Sequence, residues 1–350
     1  MTEANTLPPD EAPQKLKYYQ KGTFTVGNRL VSEDERAVQA SQDRSNALTS
    51  GHRACQGCGE ALGARYAIDA AMRATGADLI AVNATGCLEV FTTPYPETSW
   101  QLPWLHSLFG NAAAVATGVA AAMRVKKKNT RVVAQGGDGG TTDIGFQCLS
   151  GMFERNDDVL YICYDNEGYM NTGVQRSSAT PPTARTATTP AMGPEPGNVF
   201  GTGKFVPKIA VAHNIPYVAT ATVADLHDLE HKVIKAMSIH GARYIQISVP
   251  CPLGWGAASC DTIKLARLAV ECGLYPIFEA EHGRVTHARK IRRQVPVREY
   301  LKLQKRFAHL FRDGVDDPRI LHLQAICDAH IAEYGLLSED DELSGVPNGA

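Results

Sequence analysis

Short apolar runs recur along the chain and alternate with longer amphipathic stretches. Residues 79–83, 131–135, 159–165, 217–219 and 243–249 are dense in apolar and β-branched side chains and read as short buried strands. Around them, 60–75, 107–125, 142–154, 223–238 and 262–272 carry apolar residues at helical spacing. Alternating strands and helices predict an α/β fold, a mostly parallel sheet with helices on both faces. Ligands of such sheets bind beyond the carboxyl ends of the strands, so residues that directly follow a predicted strand are the first candidates for a site. No internal repeat interrupts the pattern. Residues 172–198 are rich in Ser, Thr, Pro and Gly and too long for an ordinary connection, which marks a functional or partner-contacting loop. Residues 1–50 read as an N-terminal extension or arm, 51–310 as the α/β domain, and 311–350 as a C-terminal helical segment with an acidic tail from 338 onward, expected to be disordered.

Composition narrows the class. The chain has 350 residues, of which 44% are hydrophobic, ample for a globular core. With 35 basic and 37 acidic residues the formal net charge is −2. The densest basic run, Arg124 to Lys128, follows an apolar helix, where cations offset the helix dipole, and so reads as a solvated helix end. Nothing argues for nucleic acid. Residues 1–14 are polar and Pro-rich without the apolar centre of a signal peptide, and the most apolar segment, 112–123, is too short to cross a bilayer. A cytoplasmic, non-membrane protein is expected.

Two positions after predicted strands carry metal chemistry. Gly137-Asp138-Gly139-Gly140 is followed, twenty-eight residues after the Asp, by Asn166 in Tyr-Asp-Asn-Glu-Gly-Tyr. Small residues admit a diphosphate to the backbone, and hard oxygens complete the octahedron of magnesium. Asp138 offers a carboxylate oxygen, Asn166 an amide oxygen and Gly168 a backbone carbonyl. The bland alternative is a tight turn and a solvent-facing Asn.

The nine cysteines of a reducing compartment are not expected to form disulfides. Cys148, Cys163, Cys272 and Cys327 lie in apolar or helix-like runs and read as core thiols. Cys55 and Cys58 form a Cys-x-x-Cys pair, while Cys87 and Cys251 stand alone after predicted strands. Structural zinc more often uses two close pairs; one pair plus two distant cysteines suits a cubane iron–sulfur cluster held between loops. Cys260 competes with Cys251 for the fourth position.

These runs together resemble the beta subunits of pyruvate:ferredoxin oxidoreductases (pyruvate synthases), within the 2-oxoacid:ferredoxin oxidoreductase family. The matching motifs are 54–60 (Ala-Cys-Gln-Gly-Cys-Gly-Glu), 84–87 (Ala-Thr-Gly-Cys), 107–113 (Ser-Leu-Phe-Gly-Asn-Ala-Ala), 136–140 (Gly-Gly-Asp-Gly-Gly), 164–173, 212–220 and 250–255 (Pro-Cys-Pro-Leu-Gly-Trp). Seven motifs in order cover about residues 50–310. The resemblance implies the diphosphate-side fold of thiamine diphosphate enzymes, with thiamine diphosphate, Mg2+ and one 4Fe-4S cluster. It implies cluster ligation by Cys55, Cys58, Cys87 and Cys251, and magnesium on Asp138, Asn166 and the Gly168 carbonyl. Cofactor contacts would fall on Glu60, Cys87, Gly137, Gly139, Gly140 and Asn171, with Asn171 facing the substrate. The implied reaction is oxidative, CoA-dependent decarboxylation of pyruvate to acetyl-CoA and carbon dioxide, reversible, with electrons passed to ferredoxin. The implied partners are an alpha subunit supplying the Glu that activates the aminopyrimidine and the substrate clamp, a gamma subunit and a ferredoxin-like delta subunit. An N-terminal extension of about fifty residues departs from the pattern.

Other residues carry ordinary readings beside chemical ones. His52, His106 and His213 fit acid–base work or local hydrogen bonds; Trp100, Trp104 and Trp255 fit a pocket wall or core packing; Arg176 fits an anion contact or a solvated side chain. Glu167 reads as structural. Other 2-oxoacids, including 2-oxoglutarate, branched-chain and aromatic ones such as phenylglyoxylate, would use the same kind of chain. A non-redox thiamine decarboxylase or synthase would leave the four loop cysteines idle, and a cysteine-bearing scaffold would leave the Asp138–Asn166 pair unexplained.

Overall fold

A computed structural model describes residues 46–49, 51–94, 97–193, 195–312 and 317–337. Most of the expected extension over 1–50, and the acidic tail from 338, lie outside the described residues. The strands are β1 (Leu79–Ala84), β2 (Trp104–Ser107), β3 (Arg131–Gly137), β4 (Leu160–Asp165), β5 (Tyr217–Thr222), β6 (Arg243–Ser248), β7 (Phe278–Glu281) and β8 (Arg284–Ala288). They form one sheet in the order β2-β1-β3-β4-β6-β5-β7-β8. The first six are parallel, and β7 and β8 add an antiparallel edge. The helices are α1 (Gly59–Ala74), α2 (Cys87–Thr92), α3 (Ala112–Val125), α4 (Phe146–Glu154), α5 (Val206–Ala212), α6 (Leu226–Ser238), α7 (Pro252–Trp255), α8 (Thr262–Glu271), α9 (Val297–Leu301) and α10 (Arg319–Tyr334).

The near-continuous apolar strands follow from burial on both faces. Along β4, Leu160, Ile162 and Tyr164 pack with α1 and α6 residues such as Ile68 and Val233, whereas Tyr161 and Cys163 pack with α3 and α4 residues such as Ala116 and Phe153. Successive side chains of a strand point to opposite faces, so neither face can be polar. Ile162 and Ile245 are fully buried; truncating either to Ala would cost about 2–5 kcal/mol through lost burial and the cavity left behind.

Three differences from the sequence expectation have local causes. The stretch expected as one helix over 107–125 begins as edge strand β2, ending at Ser107, and the helix starts at Ala112. The stretch expected as a helix over 142–154 is a π-helical turn, Gly139–Ile144, followed by α4. The β7–β8 hairpin was not expected: its strands are four and five residues long, and β8 is largely exposed, so no apolar periodicity marks it.

Chain direction in the sheet reverses at β1. From β1 the next strand, β2, lies on one side and β3 on the other. This is the topological switch where open α/β sheets leave a crevice at their carboxyl ends. No helix among the described residues is long and apolar enough to cross a membrane.

Candidate functional site

A cleft of about 50 Å³ opens at that crevice, lined by Glu60, by Thr85, Gly86 and Cys87 after β1, by Gly137, Gly139 and Gly140 after β3, and by Asn166, Gly168 and Asn171 after β4. Phe109, Tyr169, Met170 and Thr172 complete its wall. Every cofactor contact expected from the sequence lines the cleft except Asp138, which is fully buried.

The glycines have separate reasons. A Cβ on Gly139 would lie 2.5 Å from the Tyr169 ring, so the ring can close over the turn only on a glycine. A Cβ on Gly86 would meet nothing within 4 Å, and one on Gly137 only the Tyr164 carbonyl at 3.9 Å. Those two positions leave open floor for a ligand's approach to the backbone. The π-helical turn that begins at Gly139 is a form found mainly at functional sites. Tyr169 braces it, its hydroxyl donating to the Gly139 carbonyl at 3.2 Å and to Asp143 Oδ2 at 3.1 Å.

Asp138 and Asn166 are brought together by adjacent strands. The Asn166 backbone N–H donates to Asp138 Oδ1 at 3.3 Å, and the Ser177 hydroxyl donates to Oδ2. Asn166 Nδ2 donates to Glu60 Oε2 at 3.1 Å. That contact turns the amide so that Oδ1 is left buried with no donor among the described residues. A buried acceptor without a partner costs free energy unless something occupies the place beside it. Burial pushes the Asp138 carboxyl up to about 8, against the hydrogen bonds from Ser177 and Asn166. Burial likewise pushes Glu60 up to about 7, against its hydrogen bond from Asn166. Two desolvated carboxyls and a buried amide oxygen without a donor among the described residues form a set of hard oxygens whose chemistry fits magnesium.

Three of the loop cysteines, Cys58, Cys87 and Cys251, feel the charge of Glu60. Cys58 caps the amino end of α1, its sulfur accepting from the Ala61 N–H at 3.4 Å, and Cys251 caps α7, accepting from the Gly254 N–H at 3.3 Å. Cys87 opens α2. The Gly59 N–H donates to the Pro250 carbonyl at 3.2 Å, tying the Cys-x-x-Cys turn to the Pro-Cys-Pro turn. A Cβ on Gly59 would sit 2.7 Å from that carbonyl. Burial pushes the Cys58 thiol up to about 12, helped by Glu60 and Cys251. Burial also raises Cys87, with Glu60, Cys251 and Cys58 adding to it, and raises Cys251. Cys55 is exposed, and its charge reaches Cys251. Cys58, Cys87 and Cys251 thus each feel the charge of Glu60, and Cys251 that of Cys55. Among the described residues no three His, Cys, Asp or Glu side chains meet closely enough to hold a single ion. Cys260 is exposed and shares a surface cleft with Cys55 and Cys58. Cys163, Cys272 and Cys327 are core thiols, and Cys148 is half-buried.

The remaining candidates have local partners. His52 accepts from the Ala54 N–H, His106 pairs with the Thr85 hydroxyl at 2.8 Å, and His213 with the Ser150 hydroxyl at 3.2 Å. Trp100 packs in the core. Trp255 donates from Nε1 to the Asn166 carbonyl at 2.8 Å, a support for the Asn166 turn that its motif alone did not reveal. Arg176 donates to Asn198 Oδ1 and stacks on Phe200. Ser177 was missed as a site residue; its only signal was membership of the long 172–198 loop, which folds back onto Asp138.

Comparison with known proteins fits this geometry. Residues 84–247 match the family model "Thiamine pyrophosphate enzyme, C-terminal TPP binding domain". The chain is 49% identical to pyruvate synthase subunit PorB of Methanosarcina barkeri, over 83% of this chain and 97% of that protein. It is 42% identical to ketoisovalerate oxidoreductase subunit VorB of Pyrococcus abyssi, over 76% of this chain and 87% of that one. A solved 2-oxoglutarate:ferredoxin oxidoreductase from Magnetococcus marinus matches 59% of this chain and 67% of its own at 27% identity, with a TM-score of 0.49. Near-full-length coverage of PorB at this identity is decisive: the chain belongs to the PorB family, the thiamine-dependent subunits of multi-subunit 2-oxoacid:ferredoxin oxidoreductases.

Proposed function

We propose that this chain carries thiamine diphosphate through magnesium held by Asp138, Asn166 and the Gly168 carbonyl, and a 4Fe-4S cluster on Cys55, Cys58, Cys87 and Cys251. On this reading it serves the oxidative decarboxylation of pyruvate in the cytoplasm. Pyruvate, coenzyme A and two oxidised ferredoxins give acetyl-CoA, carbon dioxide, a proton and two reduced ferredoxins. The observation that carries the reading is Asn166 Oδ1, buried and unpartnered beside a buried carboxyl at the mouth of an open glycine floor.

When bound, thiamine diphosphate accepts the electron pair of the cleaved carbon–carbon bond and the cluster takes electrons one at a time. The chain's own residues bind, orient and shield. Asp138 and Asn166 hold the cation, with Ser177 fixing the carboxylate rotamer and Glu60 the amide. Gly86 and Gly137 let the diphosphate reach backbone N–H groups. Phe109 and Tyr169, 5.8 Å apart between ring centres, close one wall against water. Asn171, exposed at the rim, faces the substrate. The family resemblance supports an alpha subunit that brings the aminopyrimidine-activating Glu and the substrate clamp, with gamma and ferredoxin-like delta subunits completing the assembly. Residues 51–310 form the cofactor domain of this scheme.

The VorB relative supports a second substrate class, branched-chain 2-oxoacids. A panel of pyruvate, 2-oxoisovalerate, 2-oxoglutarate and phenylglyoxylate, read by CoA-dependent ferredoxin reduction in the assembled complex, decides between them. Pyruvate should give the highest kcat/KM. Preference for 2-oxoisovalerate would replace pyruvate, and no CoA-dependent reduction with any of the four would defeat the proposal.

A further inference from the structure

The turn that carries Asn166 and Gly168 follows β4, and the turn that carries Cys251 follows β6. One buried side chain joins them. Arg306 lies in the 3₁₀ turn Lys305–Leu310 and is 6% exposed. Its Nη2 pairs with Glu167 Oε2, its Nε donates to Gln304 Oε1 at 2.8 Å, and its guanidinium carbon lies 4.0 Å from the centre of the Trp255 ring. Trp255 donates from Nε1 to the Asn166 carbonyl at 2.8 Å, and its backbone N–H bonds the Cys251 carbonyl at 2.9 Å. Tyr300 closes the stack, its hydroxyl 3.4 Å from both Glu167 Oε1 and Arg306 Nη2.

Two features argue that this network does more than fill space. Glu167 sits at φ +64°, in the left-handed region that strains a residue with a side chain. Its ion pair with Arg306 and the Thr180 hydroxyl's 2.7 Å bond to its carbonyl hold it there, between the two candidate metal ligands. A buried ion pair is also a poor way to gain stability, because desolvation offsets most of the attraction. Trp255 carries contact from the Arg306 guanidinium, 4.0 Å from its ring centre, to the Cys251 carbonyl, 2.9 Å from its backbone N–H, so the buried cation sits one side chain away from the Cys251 turn.

We infer that Arg306 is a positioning residue that locks the metal-bearing turn at Asn166 to the cluster-bearing turn at Cys251, and that its buried charge raises the reduction potential of the cluster. The inference rests on the cluster assignment proposed above. An electron added to the cluster is added negative charge, and a buried cation within reach stabilises that reduced form.

The test uses the whole complex, purified anaerobically, with iron and sulfide counted before any potential is measured. The cluster of this chain is identified as the EPR signal altered in Cys251→Ala. In redox titrations Arg306→Gln should lower its midpoint potential and Glu167→Gln should raise it. Each shift should be on the order of a tenfold change in the one-electron equilibrium, about 59 mV. Arg306→Lys keeps the charge but not the planar stacked fork; it should hold the wild-type potential while retaining several-fold less thiamine diphosphate after desalting. A merely structural role would move the two charge variants in the same direction or move neither, and that result in iron-replete samples overturns the inference. If Arg306→Gln does not assemble, Glu167→Gln and Arg306→Lys decide it: a raised potential in the first with an unchanged one in the second supports it, and any other pattern overturns it. A wild-type complex without iron defeats the cluster assignment instead.

Discussion

The two ends of the sheet treat buried charge in opposite ways. At the amino end, Asp158 is surrounded by Arg243, Arg131 and His240: Arg243 and Arg131 pair with its two carboxylate oxygens, and His240 Nδ1 lies 2.7 Å from Oδ2. Burial works to raise the Asp158 carboxyl, but Arg243, His240 and Arg131 outweigh it and hold the group below its usual range. At the carboxyl end Glu167 is paired with Arg306, but Asp138 and Glu60 are buried with no ion-pair partner among the described residues, and burial raises both. Asp158 has its counter-charges among the chain's own side chains, whereas on the proposed function Asp138 and Glu60 would face a bound cation. A site that binds a cation sacrifices stability in the empty chain and recovers it on binding.

Substitutions should separate the two ends. Asp138→Asn keeps the shape but removes the charge; it should lower magnesium-dependent thiamine diphosphate affinity on the order of 100-fold, about 2.7 kcal/mol, measured by equilibrium dialysis. Above about pH 8, where the Asp138 carboxyl ionises, thermal melting of the same variant without cofactor should stay at or above wild type, because an uncompensated buried carboxylate is gone. A fall in both affinity and apo stability would erase the contrast. At the other end Asp158→Ala leaves the buried Arg243 guanidinium without its partner. The cost should be about 2 kcal/mol of unfolding free energy, below the range for fully buried pairs because the Asp158 side chain is 41% exposed. Cofactor affinity should not change.

The pH response of the amino end has a definite sign. The folded Asp158 carboxyl is held below its unfolded value of about 3.9, so its contribution is fully present above that pH and is lost as pH falls through the lower folded value. The stability gap between wild type and Asp158→Asn should therefore shrink as pH falls below about 4. A gap that widened on acidification would contradict the pairing. The smallest effect is expected for Tyr169→Phe, which removes one hydroxyl bonded to Gly139 and Asp143 and should cost about 1 kcal/mol by denaturant unfolding.

What could be read from sequence follows the same division. The five predicted strands are fully buried runs of β-branched, aromatic and small side chains, and their amphipathic partner helices are long, so both leave a local signal. Edge strand β2 and the β7–β8 hairpin are short and half-exposed and leave none. Asp138 and Asn166 were legible because each follows a buried strand directly, where the fold places ligands. The cysteines were legible by residue type. The residues that support them were not: Ser177 reaches Asp138 across 39 positions, Trp255 reaches Asn166 across 89, and Arg306 reaches Glu167 across 139. Such contacts are created by the closed sheet and have no periodicity or spacing along the chain to announce them.

On the proposed function, the buried oxygens of Asp138 and Asn166 and the four loop cysteines serve a magnesium–diphosphate site and an iron–sulfur site in one chain. The most direct measurement is the iron, sulfide, magnesium, zinc and thiamine diphosphate content of the complex purified without oxygen, compared with the same complex carrying Cys251→Ala. This account predicts one magnesium and one thiamine diphosphate per chain, and about four irons fewer in the variant. Zinc in place of iron, or iron content unchanged by Cys251→Ala, would contradict it.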